Sequence, residues 1–370
     1  MSTERVGGSG PSAEGYRTRL QRWLEGPNTV GRSREFWAGF AVVLAALLAY
    51  PFVAGSYQAS RFSLFLVYAF LGLSLSVVWG YAGILSFGQV VFFGVAGYTF
   101  AVVSINVATP LGITVAFLAG IAGGALMAAV LGYFMFYGGV RNVYVTIITL
   151  VSTLVLHTFM AQTAGDEWTI GEAALGGFNG MPTIPNLALG VGPAAVTFDS
   201  IGFYYLVLAL LVVTYLGLRA LVNSDYGRVM VAVREDEDRT EMFGYDVRRV
   251  KLSVFTIGGA LAGLSGVLYA SWGNYVSPQV FELAFASLPV IWVSVGGRKT
   301  LLGAVVATVG IEFVRNSLGG EWAFVAVGTL LLVFILGLPG GLVPWIHDAY
   351  VEYRGDTPTP NLGDRSVGGD

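Results

Sequence analysis

An all-α polytopic integral membrane protein with about ten transmembrane helices is the fold class this sequence predicts. Three observations predict it. The chain of 370 residues is 55% hydrophobic and 12% charged, with a mean hydropathy of +0.70, whereas soluble domains carry about 25% charged residues. No Asp, Glu, Lys or Arg interrupts the run from Phe62 to Val140. Charge is instead gathered between Arg219 and Lys251, where fourteen of thirty-three residues are Asp, Glu, Lys or Arg. Such a cluster between apolar runs must lie in water at one membrane face, and its seven Lys and Arg residues place it in the cytoplasm.

Residues 1–35 form a polar tail with Arg5, Arg17, Arg19, Arg22, Arg32 and Arg34. It reads as cytoplasmic and either untethered or interfacial, with Tyr16 to Glu25 able to lie on the headgroups through Leu20, Trp23 and Leu24. No cleavable apolar core follows early, so it is not a secretory signal. A span needs about 20 apolar residues. The membrane domain 36–345 supplies runs at 36–53, 62–79, 88–107, 111–136, 143–164, 201–222, 252–272, 283–297, 300–317 and 322–345. The eighth is short, and reads as tilted, re-entrant or broken. A second polar tail, 346–370, follows.

With both termini in the cytoplasm, the inside segments carry Arg141, the basic residues of the loop 223–251, Arg298 and Lys299, and Arg354 and Arg365. The long outside loop 165–200 carries Asp166, Glu167, Glu172 and Asp199 and no Lys or Arg. The basic bias therefore agrees with ten spans throughout. Glycines four apart (Gly120 and Gly124, Gly259 and Gly263, Gly337 and Gly341) mark close helix packing.

Composition also excludes several functions. A net charge of −3 does not suit a nucleic-acid binder. The absence of cysteine removes disulfides, thiol catalysis and thiolate metal sites, and two histidines are too few for a histidine-rich metal site. No nucleophile–base signature occurs. The stretch from Gly296 to Thr300 lacks the GxxxxGK[ST] spacing of a phosphate loop, so no catalytic residue, metal ligand or cofactor is expected in this chain.

Polar chemistry inside the spans is sparse. The segment Trp79 to Gln89 interrupts an apolar run with Gly80, Gly83, Gly88, Ser86 and Gln89. It is either an ordinary cytoplasmic turn or a broken helix lining a solute path, since irregular backbone at membrane depth needs protein or a water-filled cavity around it. Gly83, Ser86, Gly88, Gln89, Thr146 and Thr149 are the candidate path residues. Glu312 and Arg315, three apart near the outer end of span nine, read as a peripheral structural pair, and His157 as a helix–helix hydrogen bond.

In the charged loop, Ser224 or Asp225 can cap one short helix ending near Val233. Asp236 can cap a second, which ends at Met242, Phe243 and the stop residue Gly244. A solvated loop without a partner is the bland reading. The Met–Phe tip speaks against it, because it gains little in water and would fill a partner's pocket.

The segment from Gly227 to Asp236, continued by Phe243 to Val247 and by Lys251-Leu252, resembles the cytoplasmic loop of the permeases of branched-chain amino acid and urea ABC importers. WGYAGILSFGQVVFFGVAGY (79–98), VYVTIITL (143–150) and GGALAGLSGVLYA (258–270) agree, and the resemblance runs from about Phe62 to Val343. It implies that Arg234 to Gly244 carries the helix that docks on a cytoplasmic ATPase, with Arg228, Arg234, Glu235, Asp238, Met242, Phe243 and Gly244 as the coupling residues. The wider importer pattern Glu-Ala-Ala, three residues, Gly is here Asp238-Arg239-Thr240 before Gly244, so the alanines are replaced.

The resemblance further implies a plasma-membrane complex of two related permeases, two ATPase subunits that hold ATP and magnesium, and an extracytoplasmic solute-binding protein. Within the family, SLPVIWVSVGGRKTLLGA (287–304) and the charged loop lean toward the urea type. The competing class is a stand-alone urea or amide channel or a secondary transporter. A channel needs no large charged loop, and a proton-coupled carrier usually wants a carboxylate deep in a span.

Overall fold

In a computed structural model of the protein, residues 24–318 are described apart from 27, 30, 32 and 33, with scattered positions between 325 and 349. Nearly half of the expected tenth span and most of both tails fall outside the described residues. The fold is mostly helical, with few strands. Among the described residues, seven helical segments are long and apolar enough to cross a membrane.

The first segment is a hairpin. Helix α1 (Arg34–Leu75) contains Pro51 and breaks at Gly55, whose φ of 82° belongs to the left-handed half of conformational space that glycine tolerates. Pro51 has no N–H to give to the carbonyl four residues earlier, that of Leu47. The Tyr204 hydroxyl donates to that carbonyl instead, at 2.7 Å. Beyond the break the chain doubles back. The Tyr50 and Phe62 rings lie 5.0 Å apart, and the Tyr81 hydroxyl donates to the carbonyl of Asn28, which precedes the helix. The two limbs match the first two expected spans.

A π-helical turn (Ser76–Tyr81) and the irregular stretch 82–88 lead to α2 (Gln89–Asn106). Then come α3 (Pro110–Tyr137), capped by the Thr109 side chain, and α4 (Asn142–Ala161). Two small antiparallel hairpins follow, β1 (Thr169–Ile170) with β2 (Ala173–Ala174) and β3 (Ala188–Leu189) with β4 (Val196–Thr197). Asp199 then caps α5 (Ser200–Asn223). The charged segment folds as α6 (Asp225–Glu235), capped by Ser224, and α7 (Glu237–Met242), capped by Asp236. Helix α8 (Val247–Gly273) is followed by α9 (Leu283–Gly296) and α10 (Leu301–Leu318). The eighth expected span is α9, whose 14 residues rise about 21 Å, short of the ~30 Å hydrocarbon core.

Helices α2, α3 and α8 pack backbone against backbone where the glycine spacing predicts it. A Cβ on Gly124 would lie 2.9 Å from the Gly263 Cα, one on Gly259 3.0 Å from the Gly124 carbonyl oxygen, and one on Gly266 1.9 Å from the carbonyl oxygen of Phe93. No side chain larger than hydrogen fits at these crossings.

The helices run between two polar ends. At one end Arg219 donates to the carbonyls of Leu24 and Gly31, Asn28 Nδ2 donates to Val222, and Tyr81 reaches Lys299 O. The described part of the N-terminal tail is thus docked on the bundle and not untethered. At the other end Trp272 donates to Ser60 O, Arg61 to Asn316, Asn106 to Ile170 O, and Asn274 to Ile184 O. The last two bonds tie the acidic 165–200 segment down on the bundle.

Candidate functional site

The interrupted segment 79–89 re-enters the bundle. Gln89 Oε1 lies 2.6 Å from Ser74 Oγ, which is also 2.7 Å from the carbonyl of Gly258. Gly258 is eleven residues into α8, so Gln89 starts its helix roughly 16 Å from that helix end, near mid-bundle. One hydroxyl proton cannot serve both acceptors. Turning the Gln89 amide over lets Nε2 donate to Ser74 while Ser74 donates to Gly258. Either way one amide atom of the buried Gln89 is left without a protein partner.

The irregular backbone around it is held by α4. Thr146 Oγ1 donates to Leu85 O at 2.9 Å, and Phe87 N–H donates to Thr149 Oγ1 at 3.2 Å. Gly88 N–H donates to Ser86 Oγ at 3.0 Å, and a Cβ on Gly88 would lie 3.1 Å from Thr149. The six candidate path residues therefore surround one re-entrant stretch. Five of them gather where 85–89 meets α4, and Gly83 stands at the mouth of the turn, against the charged end.

That charged end divides into an outward and an inward part. Met242 and Phe243 at the tip of α7 are 86% and 77% exposed, and Asp238 and Gly244 beside them are exposed as well. Arg228 pairs with Asp225 on the exposed face of α6. Arg234 turns the other way. Its Nη1 donates to the carbonyl of Gly80 at 2.5 Å, and its Nη2 pairs with Glu235 at 2.5 Å. That hydrogen bond from Arg234, with Lys299 and Arg298 nearby, holds the Glu235 carboxyl below the usual carboxylate range. Lys251, buried at the start of α8, pairs with Glu237 of α7 at 2.5 Å.

Two contacts escape sequence reading. Arg219 is wholly buried, with its guanidinium over the rings of Phe36 and Trp37 at 4.7 and 5.2 Å. The signal was an arginine flanked by apolar residues opposite an aromatic pair. The bond from Arg234 to Gly80 left no signal, because a charged residue in a charged loop defaults to solvent.

Elsewhere Glu312 and Arg315 do pair, at 2.6 Å, but Glu312 is 1% exposed and belongs to the bundle interior, not its periphery. Helix α10 turns it inward, where Glu312 Oε1 and the indole nitrogen of Trp292 are both buried without a hydrogen-bond partner. His157 Nε2 makes no helix–helix hydrogen bond and stands 3.9 Å from Glu282. Among the described residues no group of three or more His, Asp or Glu could hold a metal ion.

The family model described as branched-chain amino acid transport system, permease component, matches residues 59–336. The high-affinity branched-chain amino acid transport system permease protein LivM of Escherichia coli (strain K12) is 30% identical over 82% of this chain and 74% of its own length. The protein of the same name from Salmonella typhimurium is 29% identical over 82% of this chain and 73% of its own. A probable LivM of Methanocaldococcus jannaschii is 25% identical over 75% of this chain and 90% of its own. No solved structure matches. The match covers the charged segment 219–251 and the re-entrant segment. The chain is thus a multi-pass protein of the plasma membrane and belongs to the permease family of branched-chain amino acid transport systems.

Proposed function

We infer that this chain is the membrane-spanning subunit of an ABC importer that moves a branched-chain amino acid into the cytoplasm, driven by ATP hydrolysed with magnesium on separate subunits. The carrying observation is the exposed Met242–Phe243 tip on a short, doubly capped helix pair. An apolar tip projecting from an otherwise charged end suits the pocket of a soluble partner. The basic bias supports a cytoplasmic position for this end and for both termini of a ten-span chain. The acidic 165–200 segment then faces the extracytoplasmic binding protein, and a second, homologous permease completes the pore.

The solute path runs by the re-entrant 82–89 stretch and the Thr146–Thr149 face of α4. The names of the matched relatives favour a branched-chain amino acid over the urea type that the 287–304 segment suggests. The test is uptake of labelled leucine and labelled urea, side by side, in cells expressing this chain with its partner permease, ATPase and binding protein. An ATPase-dead control completes it. Leucine uptake that vanishes with the dead ATPase is expected. Uptake that ignores it would overturn the importer reading, and ATP-dependent urea uptake would move the substrate. The double exchange Arg234→Glu with Glu235→Arg is expected to abolish uptake while leaving expression intact.

A further inference from the structure

Arg234 reaches from the charged helix pair to the buried turn. Arg234 sits in the last turn of α6, two residues before Asp236 caps α7. Its guanidinium reaches out of the charged layer to the carbonyl of Gly80, at the end of the π-helical turn, where the next N–H groups along the chain go elsewhere: Gly83 to Trp79 and Ile84 to Val78. Its aliphatic stem lies on Gly83, which takes a φ of +75°, and a Cβ there would stand 2.9 Å from Arg234 Cγ and 3.4 Å from its Cα. The same turn is pinned from behind, because a Cβ on Gly80 would stand 1.8 Å from the carbonyl oxygen of Arg298.

We propose that Arg234 is a positioning residue that links the ATPase-facing helix pair to the re-entrant turn, so that movement of α6 and α7 is carried to the 80–89 segment. This rests on the importer reading above and assigns Arg234 a place inside the permease, away from the partner-facing surface. Glu235 orients the guanidinium: it accepts from Nε at 3.0 Å and from Nη2, leaving Nη1 aimed at Gly80. A planar fork suits this double duty, one edge on a carboxylate and one donor on a carbonyl. Transmission through such a link requires that the turn have two arrangements and that the link bias them. The glycine-containing π-helical turn and the irregular residues 83–88 after it lack the regular i to i+4 ladder of the neighbouring helices, and π-turns of this kind concentrate at functional sites.

The experiment uses the whole complex in proteoliposomes, with labelled leucine and the binding protein. Three quantities are read: ATPase subunits retained per permease, ATP hydrolysis with and without loaded binding protein, and leucine taken up per ATP. Arg234→Gln and, independently, Gly83→Ala are expected to retain the ATPase subunits. They are also expected to lower leucine per ATP by about tenfold or more, the scale of one charge-assisted hydrogen bond. Arg234→Lys, which keeps one donor for Gly80, is expected to recover a substantial part of the yield, a rescue that a purely structural role would not give. Normal leucine per ATP in both Arg234→Gln and Gly83→Ala would overturn the link. So would loss of the ATPase subunits on Arg234→Gln, since that would make Arg234 a docking residue. A wild-type complex whose uptake ignores ATP would instead overturn the importer reading, and the link with it.

Discussion

The crossing of α2, α3 and α8 and the junction of α6 with the re-entrant turn use glycine for opposite ends. At the crossing, Gly124, Gly259, Gly263 and Gly266 are helical and let backbones touch, so the contact is apolar, extensive and has no alternative arrangement of similar quality. At the junction, Gly83 takes a conformation other residues avoid, and the contact resting on it is one arginine on one carbonyl. The first kind of contact holds the bundle together whatever the transport state. The second can be made and released at the cost of a single hydrogen bond. A transporter needs both, a rigid wall and a hinge that a partner can pull.

The sharpest way to break that comparison is at the crossing. Gly263→Leu would force a branched side chain into the Ile121 carbonyl oxygen and the Gly124 Cα. Overpacking of this kind costs ~1–3 kcal/mol, and more where both neighbours are backbone. The expected outcome is loss of monodisperse protein from detergent extracts, or a large fall in melting temperature. A variant that is folded and as stable as wild type would mean the crossing is looser than drawn. At the charged end the opposite is expected. Met242→Ala with Phe243→Ala should leave the melting temperature unchanged, because both side chains already face solvent. Retention of the ATPase subunits during purification should fall severalfold or more, on the scale of one or two interface anchors. Full retention would remove the tip from the coupling reading.

The α1 hairpin stands between these extremes, a fixed bend whose freed carbonyl is satisfied by a neighbouring helix. Tyr204→Phe removes the hydroxyl that serves Leu47 O and leaves that part-buried carbonyl unpaired between α1 and α5. The expected loss is ~1–3 kcal/mol, read as a lower melting temperature with uptake per folded molecule unchanged. Pro51→Ala restores the missing N–H. If the hairpin depends on the proline, Tyr204→Phe should then cost less in that background, and additivity of the two substitutions would argue against it.

How far the sequence carried follows from what hydropathy can encode. Apolar runs and the charged segment 219–251 were legible because burial in lipid and residence in water sort residues by class. The caps Ser224 and Asp236 were legible because their side chains act locally. The hairpin at Gly55 was legible as two runs but not as a bend in one helix, since Pro51 and Gly55 sit within otherwise apolar sequence. At 82–89 the sequence fits a turn and a broken helix equally, because both take the same glycines. What decides is the depth of Gln89 against Ser74 and Gly258, residues far away in the chain. For the same reason Glu312 looked peripheral. Its position along α10 is near one end, but its side chain is buried in the bundle by helices distant in sequence. Direction, more than position, is what the sequence withholds, and Arg234 is the clearest instance.

The smallest effect tests that direction chemically. Arg234, with Arg298 and Lys299 behind it, lowers the Glu235 carboxyl below its usual range, so the folded state prefers the ionised form more than the unfolded chain does. The sign follows from linkage. A depressed carboxyl stabilises the fold above its unfolded value, about 4.3 for glutamate, and that contribution fades as pH drops from there through the lower folded value. Melting temperatures of the wild type and of Glu235→Gln, compared at each pH, should therefore differ by a constant amount from neutral pH down to about pH 5 and converge below it. Glu235 is half exposed, so the difference is small. Other carboxylates titrate in both proteins and cancel in the comparison. A difference that closed between pH 7 and 5 would mean that Glu235 is not held by a cation at all. The guanidinium would then be free to face the partner, and the link to Gly80 would lose the residue that aims it.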